Sequence, residues 1–324
     1  MINEMKSFLK RFLPVTASTF HYMTQTMMDK NNQNISKIMT ILVELSTKSI
    51  TLEEAILKIS SRITEVKASI NEIDNKVSSM MASSVKNERI INELTKTSNT
   101  IHNVALETLW ANRFNNTVIE SDWLKLKTFS PSGWGAGYSF LYILYRVMRD
   151  IKPKKILEIG LGETTRIISQ YCKEHQNVEH YVVEDDSEWV AFFSQGYDVP
   201  NNTKIVQLPL MYQPYKESES VRVYKGFKDH FVNGKYDLIC IDGPSSQGME
   251  LYTRIDSLSI LPGSLADSFI ILVDDYNRIA EQNMVKDILF KLEEAVIPYR
   301  SHVYKGIKQT IIICSENLKF LVSL

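Results

Sequence analysis

Cysteine is scarce in this sequence. The 324 residues hold three, Cys172, Cys240 and Cys314, widely spaced and set among apolar neighbours. That excludes a disulfide framework and a thiolate zinc site, and it points to reduced, buried thiols in a cytoplasmic protein. Excess charge is lacking as well. A formal net charge of -1 provides no basic coat, so no nucleic-acid partner is expected. No apolar run approaches the length of a membrane span. The opening KSFLKRFLPV is no secretory leader, because Lys10 and Arg11 interrupt its apolar part and Pro14 follows. Phe8, Leu9, Phe12 and Leu13 would share one side of a short helix. Residues 1–14 are thus expected either to rest on an anionic membrane, at its inner face, or to pack on the rest of the chain.

Glycine and proline are both absent between Asn31 and Asn103, and nothing there interrupts a helix. Within this stretch apolar residues follow a seven-residue beat. One set of seam positions runs Ile35, Leu42, Ser49, Ile56, Ile63, Ile70, Val77, and the other Ile38, Leu45, Leu52, Ile59, Val66, Ile73, Met80. The beat lapses at Ser84 and Asn87 and resumes at Ile91, Leu94 and Ile101. A narrow seam on a polar helix needs a partner helix. Thr51–Glu54, TLEE, has the form of a capping box and could start a second helix that folds back, with Thr95–Thr100 closing it. The register runs through Thr51, however, which favours one helix about 100 Å long at 1.5 Å per residue and pairing between chains. β-Branched residues at both seam positions lean towards a trimer over a dimer. The segment carries no chemistry, so its expected role is self-association or spacing.

After Trp110 the pattern changes. SPSGWGAG at 130–137 is a loop of small residues, an apolar helix covers Tyr138 to about Asp150, and strands then alternate with helices. Strands are expected at Lys155–Ile159, His180–Glu184, Lys204–Leu208, Tyr236–Ile241 and Phe269–Val273. Helices are expected near Thr164–Lys173, Ser187–Gln195, Met249–Leu261 and Arg278–Ala295. The last apolar runs, Ile297–Tyr304 and Gln309–Cys314, are linked only by KGIK and should be antiparallel. The fold class is therefore α/β: a Rossmann-like, doubly wound, mostly parallel seven-stranded sheet ending in an antiparallel hairpin, preceded by a long helical coiled coil. The expected division is an amphipathic segment (1–30), a stalk (31–108), a linker (109–130) and the α/β domain (131–324).

Such sheets bind ligands beyond the carboxyl ends of their strands. The unusual residues fall at those ends: Glu158, Gly160 and Gly162 after the first strand; Glu184, Asp185 and Asp186 after the second; Asp242, Gly243 and Pro244 after the fourth; Asp274 and Asp275 after the fifth. In EIGLGETT, Glu163 stands where a helix would receive a diphosphate. It opposes an anion there, although it suits the helix dipole. A cationic cofactor fits better. The sulfonium and amino groups of S-adenosylmethionine would be drawn to Glu158 and its neighbours, and Glu184 could accept from both ribose hydroxyls. Trp189 either covers the adenine or packs in the core.

KILEIGLGETT, HYVVEDDSEWV, YDLICIDGPSS and FIILVDDYNR, in this order, resemble the class I S-adenosylmethionine-dependent methyltransferases over about Ser130 to Leu324. Thr164 replaces the family's third glycine. The resemblance implies that Glu158, Gly160, Gly162, Glu163 and Thr164 line the methionine end and that Glu184 and Asp185 hold the ribose, with Asp242 beside the cofactor. YDLICIDGP further resembles polysaccharide O-methyltransferases, including plant glucuronoxylan methyltransferases. VDDYNR resembles the fifth-strand motif of metal-dependent sugar O-methyltransferases of antibiotic biosynthesis. That likeness implies Mg²⁺ on Asp242, Asp274 and Asp275, a hard oxygen set able to acidify a sugar hydroxyl. Those enzymes carry a carboxylate, thought to be the base, where Pro244 stands here. Asp242, with Asp275, is then the catalytic candidate; His230 and Glu250 are others, and Asp274 and Asp275 could instead cap the helix near Asn277. FLKRFLPVTASTFH is similar to the start of bacterial enzymes that build surface glycans, which agrees with a glycan or glycolipid acceptor. The expected function is O-methylation of a sugar on a bacterial surface polysaccharide or glycolipid. The alternatives are an assembly protein with a non-catalytic ligand-binding domain and a methyltransferase for a small phenol or carboxylate.

Overall fold

The computed structural model describes residues 14–47, 52–131 and 135–324. The amphipathic segment 1–14 thus lies outside the described residues, apart from Pro14. The chain forms two compact units that divide between Ser98 and Asn99.

In the first unit the expected single helix is two. Helix α1 spans Pro14–Thr47, and α2 begins at Leu52 and runs to Val118. Residues 48–51 lie outside the described residues; α1 packs against α2, as in the fold-back that TLEE allows. Phe20, Met23, Thr24 and Met27 of α1 line one side of a small cleft, with Lys76, Val77, Ser79 and Met80 of α2 on the other. Phe20 is buried there. Val66, Ile73, Val77 and Met80 are half-buried, Val77 and Met80 at that cleft, whereas Ile63, Ile70, Ile91 and Leu94 remain exposed. Thr95–Thr100 does not close the helix, which continues unbroken to Val118.

The second unit begins inside α2. Trp110, Phe114 and Val118 are buried in the core of the α/β domain together with Leu124, so the stretch expected as a linker, 109–130, contributes to that core. Trp110 Nε1 donates to the Lys305 carbonyl at 2.7 Å. The Glu107 carboxylate accepts from the amides of Tyr138 at 2.7 Å and Ile307 at 3.0 Å.

Helix α3 (Tyr138–Asp150) leads into β1 (Lys155–Ile159), α4 (Glu163–Glu174), β2 (Glu179–Glu184), α5 (Ser187–Gly196) and β3 (Thr203–Gln207). A two-stranded hairpin follows, β4 (Leu210–Tyr215) with β5 (Ser218–Tyr224), and then short α6 (Phe227–Phe231). The chain returns to the sheet as β6 (Tyr236–Ile241) and β7 (Leu265–Val273), crosses as α7 (Ile279–Glu294), and ends in β8 (Tyr299–Lys305) and β9 (Gln309–Ser315). The seven-stranded sheet has the order β3-β2-β1-β6-β7-β9-β8. The first five are parallel, while β9 runs antiparallel to both β7 and β8. This is the doubly wound sheet with a terminal hairpin that the alternation of apolar runs predicts. The expected helix at Met249–Leu261 is absent, and only a 3-10 turn at Ile255–Ser259 forms. That segment is held by side-chain bonds instead: Asp256 Oδ1 accepts from the Tyr224 amide at 2.8 Å.

Apolar side chains on both sheet faces explain the near-continuous strand sequences. Ile156 points into a core shared with α3 and α4, while its neighbours Leu157 and Ile159 of the next pleats point into a second core shared with α7 and β5. The three cysteines are buried and unpaired. From β1 the chain winds one way to β2 and β3; from β6 it winds the other way. The reversal between β1 and β6 opens a crevice at their carboxyl ends, where a doubly wound sheet binds its ligand.

Candidate active site

Two glycines set the crevice floor. Gly160 has φ of +104°, and a Cβ there would lie 3.0 Å from the Gly243 nitrogen. A Cβ on Gly243 would in turn lie 2.8 Å from the Gly160 Cα. The ends of β1 and β6 can approach so closely only without side chains, and the left-handed φ independently favours glycine at position 160. The resulting crevice has a volume of about 580 Å³, within the range of small-molecule sites. Gly160, Gly162, Glu163, Glu184, Asp185, Asp242 and Asp275 all line it, joined by Arg254, Arg278 and Lys308.

Three expected site residues lie elsewhere. Glu158 is fully buried. Its carboxylate accepts from the Thr164 hydroxyl and pairs with His180 Nε2 at 3.1 Å, whose Nδ1 is 3.1 Å from the Thr203 hydroxyl. The acid that opens the glycine motif therefore ties β1 to α4 and β2 and does not face a ligand. Thr164 belongs to the same buried chain. Asp274 lies behind the crevice wall with no exposure. Trp189 does not reach the crevice either; its Nε1 donates to the Leu161 carbonyl at 2.8 Å, and its ring stacks on Phe192. His230 and Glu250 are exposed outside the crevice.

On the β1/β2 side, acids are satisfied by backbone amides. Glu184 Oε2 accepts from the Leu161 amide at 3.0 Å, and Oε1 from the amides of Asp185 and Asp186 at 2.9 and 3.0 Å. A carboxylate offers about four acceptor positions, so Glu184 retains room for one further donor, not two. Burial, with Glu184 beside it, pushes Asp185 up to about 6. Asp186 caps α5 by accepting from the amides of Glu188 and Trp189. Glu163 starts α4, where an acid suits the helix dipole, and pairs with Arg166 at 2.7 Å.

On the β6/β7 side, the acids lie among cations that the sequence motifs do not include, and Asp274 Oδ1 and both Glu281 oxygens are buried without a hydrogen-bond partner. Arg254 Nη2 lies 3.2 Å from Asp242 Oδ1 and 3.0 Å from Asp275 Oδ2. Arg278 Nη1 reaches Asp275 Oδ2 at 3.0 Å. Lys308 Nζ lies 3.4 Å from both Asp274 Oδ2 and Asp275 Oδ1 and donates to the Gly135 carbonyl at 2.8 Å. Buried Glu281 adds a fourth carboxylate, 3.9 Å from Arg254 Nε. Arg254 and Asp275 both have φ above +50°, a region that side chains other than glycine seldom adopt. Such strain collects where surrounding contacts impose it, often at functional sites. Burial raises Asp242 to about 6, against the lowering pull of Arg254 and Lys308. It raises Asp274 to about 8, with Asp242 adding to the rise. Both carboxyls therefore hold a proton more tightly than an ordinary aspartate, Asp274 the more so.

One oxygen from each of Asp242, Asp274 and Asp275 falls within 4.8 Å of the others, a spacing that a divalent ion could span. The charges do not fit. Arg254 bridges Asp242 to Asp275, and Lys308 bridges Asp274 to Asp275, so a metal at the centre would face both. Two unit charges about 4 Å apart repel by about 4 kcal/mol at an effective dielectric of about 20, and a dication doubles that. Asp275, held by three cations, is also poorly placed to act as a base, whereas Asp242 keeps a side exposed to the crevice.

Sulfonium chemistry fits the other half. The loop of Gly160 to Gly162 lets a ligand approach the backbone, and Asp185, Asp186 and Glu184 leave that end negative without a paired side-chain cation.

No protein-family model matches the chain, and no curated protein matches it. Among solved structures, the chain resembles a Bacillus cereus O-methyltransferase in complex with SAH (11% identity, TM-score 0.38, covering 65% of this chain and 91% of that one). It also resembles a Geobacter metallireducens precorrin-6y C5,15-methyltransferase (14%, 0.38, 59% and 94%) and an SAH-bound Podospora anserina methyltransferase (18%, 0.35, 63% and 86%). Similarity at this level speaks of the fold alone. No described helix is long and apolar enough to cross a membrane.

Proposed function

We propose that the protein is an S-adenosylmethionine-dependent O-methyltransferase acting on a sugar hydroxyl of a bacterial surface polysaccharide or glycolipid. The observation that carries this reading is the division of the crevice at the sheet reversal. A net-negative half at Gly160–Gly162 and Glu184–Asp186 adjoins a half holding one accessible carboxylate, Asp242. The cofactor, when bound, supplies an electrophilic methyl group on a sulfonium. The negative half holds and orients that cation. Asp242 would accept the proton that the acceptor hydroxyl gives up on methylation. The acceptor as a sugar rests on the sequence resemblance, not on a contact in the crevice.

In the first unit the exposed Ile63, Ile70, Ile91 and Leu94 support self-association of the helical hairpin, as a dimer or trimer. With residues 1–14 on a membrane surface, such an assembly would hold the domain beside a lipid-linked acceptor in the cytoplasm.

The experiment is transfer of labelled methyl from S-adenosylmethionine to glycan extracted from the source bacterium. Label in the glycan that resists mild base, as an ether does, is the expected outcome. Label released by base, as from an ester, or transferred only to small phenols would replace the sugar hydroxyl with another acceptor.

A further inference from the structure

We infer that Arg254 and Lys308 take the place of a divalent cation between Asp242, Asp274 and Asp275, so that the cluster is closed to metal. The inference deepens the methyl-transfer reading in one respect: transfer needs no added ion.

Three observations converge. The first is geometric. Asp275 is the hub of the cluster, and its two oxygens are taken by different cations: Oδ2 by Arg254 and Arg278, each at 3.0 Å, and Oδ1 by Lys308 at 3.4 Å. An ion that used Asp275 would have to displace one of them. The second is the balance of charge. Four carboxylates, Asp242, Asp274, Asp275 and Glu281, meet three cations, Arg254, Arg278 and Lys308, so most of their negative charge is already offset by fixed side chains. Carboxylates whose charge is largely offset by fixed cations have a weakened hold on Mg²⁺, which gives up its water reluctantly. The third is how firmly the cations are placed. The Arg254 side chain is 4% exposed and is also fixed by the carbonyls of Pro244 and Asp274. Lys308 is 12% exposed and anchored on the Gly135 carbonyl. The next residue back, Ile307, has its amide held by Glu107 at 3.0 Å, and Trp110 grips Lys305, so the β8–β9 turn that carries Lys308 is fastened to the end of α2.

The ammonium of Lys308 lines the crevice beside Asp242. There it offers an acceptor oxygen the positive neighbour that a metal would otherwise supply, on a side chain that cannot dissociate.

The test is a titration of the full-length protein with Mn²⁺ alone, followed by the loss of the free-ion electron paramagnetic resonance signal. The wild type should leave Mn²⁺ free at millimolar concentration. Lys308→Met uncovers Asp274 Oδ2 and Asp275 Oδ1 and should bind the ion at least about tenfold more tightly. Lys308→Gln, which keeps a donor but no charge, should do the same, with circular dichroism confirming that both variants are folded. Methyl transfer by the wild type should continue in EDTA. The inference is overturned if the wild type binds Mn²⁺ more tightly than about 1 mM, or if both folded variants bind it no better than the wild type. The titration uses no cofactor. A failure of S-adenosylhomocysteine to bind would remove the methyl-transfer reading and leave this result standing.

Discussion

The two halves of the crevice meet their acids by different means. At the ends of β1 and β2, Glu184 is met by three backbone amides and Asp186 by the first amides of α5. At the ends of β6 and β7, Asp242, Asp274 and Asp275 are met by arginine and lysine side chains. Backbone amides satisfy a carboxylate's hydrogen bonds without cancelling its charge; cations do both. Four neighbouring strand ends of one sheet therefore create one end whose negative charge has no side-chain cation beside it and one whose negative charge is largely offset. The difference teaches that a row of acids in a sequence does not fix the potential of a site. What satisfies each acid fixes it.

The largest expected effect lies on the β6/β7 side. Asp242→Asn removes the proposed base and should lower kcat by about 10²–10⁴-fold, with little change in affinity for S-adenosylhomocysteine. The same residue predicts the pH profile. Asp242 is raised to about 6 and acts when deprotonated, so the rate should rise with pH through about 6 and level off above it. A rate that falls across that range, or an Asp242→Asn protein with unchanged kcat, would make another group the base.

A second test compares the two kinds of partner directly by thermal or urea unfolding. Arg254→Met leaves several buried carboxylates without their shared cation and should cost about 3–5 kcal/mol of stability. Thr164→Val removes one neutral donor from buried Glu158 on the β1 side and should cost about 1–3 kcal/mol. Equal losses, or a larger one for Thr164→Val, would break the contrast between a cation-held and a hydrogen-bond-held half.

The frame of the α/β domain was legible because it rests on local pattern. Apolar runs located all seven strands of the main sheet, and the short KGIK link identified the terminal antiparallel pair. The β4–β5 hairpin was not foreseen: its strands are half exposed and lack alternation. Met249–Leu261 has helical spacing yet is fixed by tertiary bonds to Tyr224 and the acid cluster, which override local preference. The heptad beat identified helices that need a partner but could not tell a partner within the chain from one outside it, since Val77 satisfies the same rule packed near Phe20 of its own chain.

The site was legible by position more than by role. Gly160, Glu184, Asp242 and Asp275 reach the crevice because strand ends do. Glu158 carries the same motif signal but turns inward, and only the presence of His180 and Thr203 on neighbouring strands explains why. Arg254 and Lys308 were missed because their partners lie far along the chain. A lone arginine in YTRIDSLSI, amid residues that become buried, was the available sign, since such a cation is seldom buried unless it is paired.

The central claim is that the negative half at Gly160–Gly162 and Glu184–Asp186 receives a sulfonium nucleoside. Isothermal titration of the wild type with S-adenosylmethionine, its neutral product S-adenosylhomocysteine and NAD measures this most directly. The account predicts saturable one-site binding of both adenosyl compounds, no detectable binding of NAD, and loss of binding in Gly160→Val, whose side chain would drive into the β6 turn. Binding of NAD in preference to either adenosyl compound, or binding unaffected by Gly160→Val in a folded protein, would contradict it.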